Sequence, residues 1–404
     1  MKQTTTSKPT ILFIVIMGAL AAFGPLSIDM YLPALPTVMN DLHSTTSAVQ
    51  LTLTFFMIGL AAGNIVIGTL SDSMGRKKPL VICMVIFTLS SIMCALAPNM
   101  ETLMAFRFIQ GFTGGGGVVI SRAIASDLYQ GRDLTKFLAT LMLVNGAAPI
   151  LAPILGGFIL SFTTWRVLFG ILMGFGVLMV FGTAFKIPET LPKEQRSKAH
   201  FKTILQDYKH LVTTPTFIIP GLIQGFTFAF FFGYMSASPF IIQNLYGFTA
   251  QQYSYVFACL GIGLIILAQL TGRLIDFINS LTLLRLYTGL QILGAMITVY
   301  ALSQESSVWL VIIGFFFMVA PVAGIGTISF TLAVSGQKKG GSASSLIGLL
   351  QYLVGGLVTP LVGLKGEYSA EPYMILVVIV AIILIGLHIM NYSVFKKKQT
   401  STMK

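Results

Sequence analysis

Charge is scarce in this chain. Only 9% of its 404 residues are Asp, Glu, Lys or Arg, against roughly 25% in an ordinary soluble protein. Thirteen acids and 25 bases cannot coat a soluble surface of this size, which excludes a soluble multidomain enzyme. Cysteine is equally sparse. Cys83, Cys94 and Cys259 lie inside apolar runs with no CxxC or His-paired spacing, so neither a metal centre nor a disulfide framework is indicated, and the three read as small buried hydrophobes. No nucleotide motif is present. The run Gly114–Gly117 lacks the Lys-Ser/Thr ending of a phosphate loop, and the hydrophilic parts are too short to hold an ATP-binding domain. No cofactor is expected.

What fills the chain is apolar sequence: 55% hydrophobic residues and a mean hydropathy of +0.86. Apolar runs cover roughly 10–38, 46–71, 79–97, 102–126, 135–160, 167–186, 214–242, 251–276, 281–303, 307–335, 342–364 and 372–395. Each approaches the length of about 20 residues that crosses a bilayer as a helix, and the runs number twelve. The 40 Gly and 16 Pro suit membrane helices whose backbones pack closely. The first run, preceded by Lys2 and Lys8 and containing small residues around Ala19 and Ala21, has features of a secretory signal. It continues past Asp29 without a cleavage boundary and is long enough to span, so it is taken as a retained helix.

Residues 186–213 carry nine charges and divide six spans from six. They read as a solvated linker with short helical pieces. The expected organisation is a six-helix bundle over 1–186, a cytoplasmic linker over 187–213 and a second six-helix bundle over 214–404. With the N-terminus cytoplasmic, the inner side holds both termini, Arg76-Lys77-Lys78, Arg122, Arg132, Lys136, the linker, Arg273, Arg285 and Lys338-Lys339. Only Arg166 and Lys365 fall outside, and Arg107 lies within a span. The positive-inside rule therefore places both termini in the cytoplasm. The net charge of +12 is a topology signal with some attraction to anionic lipid, and nucleic-acid binding is not expected.

Gly68-Thr-Leu70-Ser-Asp72 closes the second span, and Gly272-Arg273-Leu-Ile-Asp276 closes the eighth, about half the chain later. The match points to two bundles of common architecture, as in many secondary transporters. After the first copy come Gly75, Arg76, Lys77 and Lys78. Gly75 permits a tight turn. Asp72 at a helix C-terminus faces an unfavourable dipole unless a cation offsets it, and Arg76 is placed to supply one.

These residues resemble the signature G-x-L-x-D-x-x-G-R-K/R of the major facilitator superfamily, and the resemblance extends over essentially the whole chain. Arg107-Phe-Ile-Gln110-Gly111 is similar to the family's R-x-x-Q-G element. Asn145-Gly146-Ala-Ala-Pro149-Ile-Leu-Ala152-Pro153-Ile-Leu-Gly156-Gly157 is similar to its antiporter motif, with Ala152 where Gly is usual. Gly24-Pro25-Leu-Ser-Ile-Asp29-Met-Tyr31-Leu-Pro33 and Trp165-Arg166-Val-Leu-Phe169 resemble the bicyclomycin and chloramphenicol resistance branch of twelve-span drug:proton antiporters. The resemblance implies an all-α membrane protein of two pseudo-symmetric six-helix bundles, located in a bacterial cytoplasmic membrane and acting as a monomer. It also implies a cytoplasmic gate made of Gly68, Asp72, Gly75, Arg76 and Asp127, and a sealing role for the bent helix of Gly146, Pro149, Pro153, Gly156 and Gly157.

An argument for proton coupling comes from the residues themselves. Of the 13 acids, Asp29 alone lies well inside a span; Asp72, Asp127 and Asp276 sit at inner ends. A charge at the bilayer centre costs a few kcal/mol on insertion scales, so Asp29 needs a reason to be there. Arg107 is the only base comparably placed. At about 1.5 Å per residue, Asp29 is roughly 13 Å and Arg107 about 9 Å below the outer ends of their spans, depths compatible with a shared cavity. A cavity carboxyl is pulled one way by desolvation and the other by a nearby guanidinium. Opening to either side changes that balance, so Asp29 is expected to take a proton outside and release it inside. The alternative is a static ion pair between the first and fourth spans.

The seventh span is aromatic (Phe226, Phe228, Phe230, Phe231, Phe232, Tyr234). Together with Tyr31, Gln110, Asn145, Gln224, Gln351 and Tyr352 it suits a lipophilic ligand; Tyr31, Gln110 and Asn145 are the candidate substrate contacts. His388 is expected to be a packing residue. The expected function is not enzymatic: proton-driven export of small lipophilic drugs by alternating access. A narrow exporter of a metabolite such as an amino acid or sugar is a second reading, and a transport-inactive sensor or scaffold a third.

Overall fold

A computed structural model describes residues 11–196, 201–335, 337 and 340–402. Lys2, Lys8, Lys198, Lys338 and Lys339 fall outside the described residues, as do the side chains of Asn145, Gly146, Arg132 and Lys136. No strand occurs among the described residues. Among the described residues fifteen α-helices follow one another: α1 (Ile11–Asp29), α2 (Leu35–Asp41), α3 (Thr46–Met74), α4 (Lys77–Ala95), α5 (Met100–Leu128), α6 (Gly131–Leu160), α7 (Trp165–Lys186), α8 (Phe201–Val212), α9 (Pro215–Phe240), α10 (Ala250–Leu274), α11 (Ser280–Ser303), α12 (Val308–Val319), α13 (Val322–Val334), α14 (Gly340–Val358) and α15 (Glu371–Thr402). Eleven helical segments among the described residues are long and apolar enough to cross a membrane, and α6 adds the apolar stretch Ala147–Leu160.

Proline shapes several spans. The first is interrupted: α1 stops at Asp29, a 3-10 turn covers Leu32–Ala34, and α2 follows. Pro33 lacks the N–H that would bond the Asp29 carbonyl four residues back, so the α-helix cannot continue through that point. The backbone tightens instead, with Tyr31 N–H bonding Ile28 O at 3.1 Å. The tenth span breaks the same way between α12 and α13, at Ala320-Pro321. In α6, Pro149 and Pro153 remove two further backbone donors.

The chain divides into two compact units, Met1–Tyr31 with Phe55–His200, and Leu32–Thr54 with Phe201–Lys404. In the first, α4 packs on α5 and α7, and α1 on α5 and α6. A Cβ on Gly59 would strike the Phe108 carbonyl and one on Gly111 the Phe56 carbonyl, so α3 and α5 touch backbone to backbone. In the second, α9 packs on α13, α14 and α15, and α11 on α12 and α15.

This division differs from the six-and-six organisation in two places. Residues 32–54 belong with the second unit because polar side chains fasten them there. Gln50 Nε2 donates to Ser236 O at 3.1 Å, Thr54 Oγ1 to Gly356 O at 2.8 Å, and Ser47 Oγ to Pro360 O at 3.0 Å. The linker is also less solvated than its charge suggests. Ile187 and Leu191 are buried in the first unit. The amphipathic helix α8 sets Leu211 into a core with Phe217, Ala333, Ala343, Leu346 and Ile347 in the second.

Candidate transport site

Arg107, on α5, is fully buried. Its Nη1 donates to Gln110 Oε1 at 2.6 Å and to Ser27 O at 3.1 Å. The tightened turn at Tyr31 explains the second bond, because it takes the Tyr31 N–H to Ile28 and leaves the Ser27 carbonyl open. Three rings enclose the guanidinium, with centroids at 4.3 Å (Phe56), 4.9 Å (Tyr31) and 5.6 Å (Phe169). Cation–π attraction of this kind contributes about 0.5–2 kcal/mol per ring. That offsets part of the several kcal/mol that burying a charge costs. Nε and Nη2 are buried with no hydrogen-bond acceptor among the described residues. Gln110, itself buried, continues the chain by donating to Ser91 Oγ on α4 at 2.8 Å.

Asp29 ends α1 at the proline-made break and is 4% exposed. Among the described residues no cation lies within ion-pairing distance of it. The expected neighbourhood with Arg107 is therefore half realised. Arg107 grips the same turn through residues 27 and 31, whereas Asp29 lies between them in sequence. At 100° per residue, a side chain two positions on points to another face of the helix, so the static ion pair between the first and fourth spans is absent. Tyr31 and Gln110, candidate substrate contacts, are instead partners of Arg107, and both are buried. The side chain of Asn145, the third, is outside the description.

The antiporter-motif helix meets this same turn. A Cβ at Gly156 would overlap the carbonyl oxygen of Met30, the residue after Asp29. Pro153, Gly156 and Gly157 are buried, so α6 at Gly156 packs directly on the turn that follows α1. In the other unit, Gln224 Nε2 on α9 donates to Gln351 Oε1 at 3.1 Å. Phe232 there lies 6.1 Å from Tyr352.

The signature motif forms a compact ionic cage. Arg76 Nη1 meets Asp72 Oδ1 at 2.5 Å and Ser71 Oγ at 2.8 Å, and its Nε meets Asp127 Oδ2 at 3.0 Å. Burial alone would weaken the Arg76 charge. Hydrogen bonds and charge from Asp127 and Asp72 more than offset this and hold its pKa above the ordinary arginine value. Gly75 adopts φ +94°, which glycine alone takes without strain, and a Cβ there would strike Glu189.

Glu189 was not recognisable as part of this cage from the sequence. It accepts from Arg76 N–H at 2.8 Å and Lys77 N–H at 3.4 Å, satisfying donors at the N-terminus of α4. Thr190 donates to Asp127 Oδ2 at 2.8 Å, and Arg196 pairs with Glu189 at 3.6 Å. The only sequence signal was their place at the start of the charged linker. The repeated pentad in the second half builds no such cage: Asp276 is exposed and has no ion pair among the described residues.

Residues 14–360 match the family described as Major Facilitator Superfamily. An uncharacterized MFS-type transporter, YdgK, of Bacillus subtilis (strain 168) is 38% identical over 95% of this chain and 96% of its own length. A bicyclomycin resistance protein homolog of Haemophilus influenzae is 30% identical over 91% of this chain and 92% of its own. Among solved structures, a bacterial homolog of the human lysosomal transporter Spinster superposes with a TM-score of 0.75 at 15% identity, covering 96% of this chain and 98% of that one. The apolar helices, the motif cage and these relatives agree: the chain belongs to the major facilitator superfamily and is a multi-pass membrane transporter and not an enzyme.

Proposed function

We propose that this protein exports small lipophilic drugs across a bacterial cytoplasmic membrane in exchange for protons. It would alternate access to its two sides as a monomer, with both termini in the cytoplasm. The observation that carries the reading is the pair of half-satisfied charges around one helix break. Among the described residues, Arg107 is buried with two donor atoms open, and Asp29 is buried on the same turn with no cation beside it.

A carboxyl held in place by no fixed counter-charge changes protonation when water reaches it from one side or the other. The break made by Pro33 gives that turn a backbone able to rotate without breaking a continuous helix. Asp29 is the proton carrier in this scheme. The open Nε and Nη2 of Arg107 donate either to the deprotonated carboxylate or to a polar acceptor of the substrate, so proton and drug compete and exchange follows. Gly156 against Met30 links the antiporter-motif helix to the same turn, and the cage of Arg76, Asp72 and Asp127 latches the cytoplasmic ends of the first bundle. The aromatic α9 supports a lipophilic cargo, as does the drug-resistance name of the Haemophilus influenzae relative.

The test is reconstitution of the full chain in proteoliposomes with an imposed pH gradient, screening chemically unrelated antibiotics against amino acids and sugars. Drug movement that follows the gradient, with cross-inhibition between unrelated drugs, supports the proposal. Movement confined to one metabolite class contradicts it.

A further inference from the structure

We propose that the groove between α11 and α15 is a binding site for the phosphate headgroup of an anionic phospholipid, in the leaflet on the side where α15 ends. The groove holds about 440 Å³, belongs to the second unit and is lined by none of the residues of the site described above. Its polar groups are Arg285, Thr288, His388 and Tyr392. Arg285 lies over the Tyr392 ring at 4.8 Å, and His388 Nε2 is 2.9 Å from Thr288 Oγ1.

Arg285 is the centre of the argument. It is exposed, and among the described residues it has neither an ion pair nor a hydrogen bond. A guanidinium so placed has its planar donor fork open, and that fork matches a phosphate. The depth is also suitable. At about 1.5 Å per residue, Arg285 is roughly 7 Å along from the start of α11 at Ser280. Tyr392 is about 3 Å and His388 about 9 Å from the end of the membrane segment at Val394. Basic pockets between helices at this level bind lipid headgroups.

The polarity then falls in the order a lipid requires. Beyond Thr288 and His388 the groove is lined by Ile292 and Ile385, deeper by about one helical turn. Leu286, Ile382 and Ile389 beside it are all more than half exposed, at 57%, 64% and 68%, as side chains facing acyl tails are. Gly289 keeps the groove open, since a Cβ there would meet nothing within 4 Å.

The experiment uses purified full-length protein in phosphatidylcholine nanodiscs doped with increasing phosphatidylglycerol, reading retained lipid by native mass spectrometry and stabilisation by thermal unfolding. Arg285→Gln removes the cation, and Gly289→Leu fills the groove while improving local helix propensity. Arg285→Lys keeps the charge. Lys365→Gln, which alters an exposed cation paired with Glu371, is the control. The expected result is that Arg285→Gln and Gly289→Leu each raise the half-saturating lipid fraction at least fivefold, that Arg285→Lys raises it less than Arg285→Gln because the charge stays while the fork is lost, and that Lys365→Gln leaves it within twofold of wild type. Three results overturn the proposal. They are equal retention of phosphatidylcholine, unchanged phosphatidylglycerol binding in folded, monodisperse Arg285→Gln and Gly289→Leu proteins, or displacement by millimolar inorganic phosphate.

Discussion

Arg107 Nη1 donates to the carbonyl of Ser27 at 3.1 Å, two residues before the one acid that lies well inside a span. The ring of Tyr31, two residues after that acid, is 4.9 Å from the same guanidinium. Positions 27 and 31 share a helix face, so the arginine holds the turn by both shoulders and Asp29 faces elsewhere. The result, among the described residues, is a buried cation with open donors and a buried carboxyl without a cation, side by side on one backbone feature. A permanent ion pair would be more comfortable electrostatically and would have nothing to exchange.

Arg107→Lys tests the open-donor side of this arrangement. A lysine keeps the charge but loses the planar guanidinium that stacks on Phe56 while its Nη1 bonds Ser27 and Gln110. The expected outcome is a stability loss of roughly 1–3 kcal/mol and a transport rate lower by about tenfold or more, read by thermal unfolding and proteoliposome flux. Wild-type flux in the lysine variant would mean that charge alone matters at position 107.

Gly156→Ala probes the contact between α6 and the break. One methyl would overlap the Met30 carbonyl, and overpacking of this kind costs about 1–3 kcal/mol. We expect a folded protein with transport reduced at least about fivefold, because a shifted turn displaces Asp29 and Ser27 together. Gly289→Ala, where a Cβ meets nothing, is the matched control and should transport normally. Equal activity in the two variants would uncouple α6 from the site.

Much of the site was legible before the structure. Asp29 and Arg107 stand out because a charge within apolar sequence is costly, and the Gly75-Arg76 turn follows from spacing. The break at Asp29 was not read from the sequence, where the run was taken as one continuous span, although Pro33 lies four residues on and removes the donor for its carbonyl. What the sequence did not show was direction. The depths of Asp29 and Arg107 matched, but the faces did not, and that emerges only when residues 27 and 31 are seen to be the ones Arg107 touches. Glu189 was hidden for another reason: its partners are 112 and 113 residues away, and no local pattern encodes such a contact. The pentad around Asp276 was the opposite case, a matching pattern whose ionic cage is absent because no arginine stands where Arg76 does.

Gly75→Ala addresses the cage. The positive φ penalises any side chain, and a Cβ would also displace Glu189 from the amides it satisfies. A loss of about 1–3 kcal/mol is expected, with Glu189→Ala costing about 1 kcal/mol, as for loss of a helix cap. The pair should be less than additive in thermal unfolding, because both changes remove the same hydrogen bonds. Full additivity would show that Gly75 and Glu189 act separately.

The most direct measurement is the Asp29→Asn variant in proteoliposomes, comparing substrate counterflow at equal pH with efflux driven by an imposed pH gradient. Asparagine keeps the shape and removes the exchangeable proton. The account predicts counterflow near the wild-type rate and loss of the gradient-driven component. Gradient-driven efflux at the wild-type rate in that variant would contradict it and take the proton from Asp29.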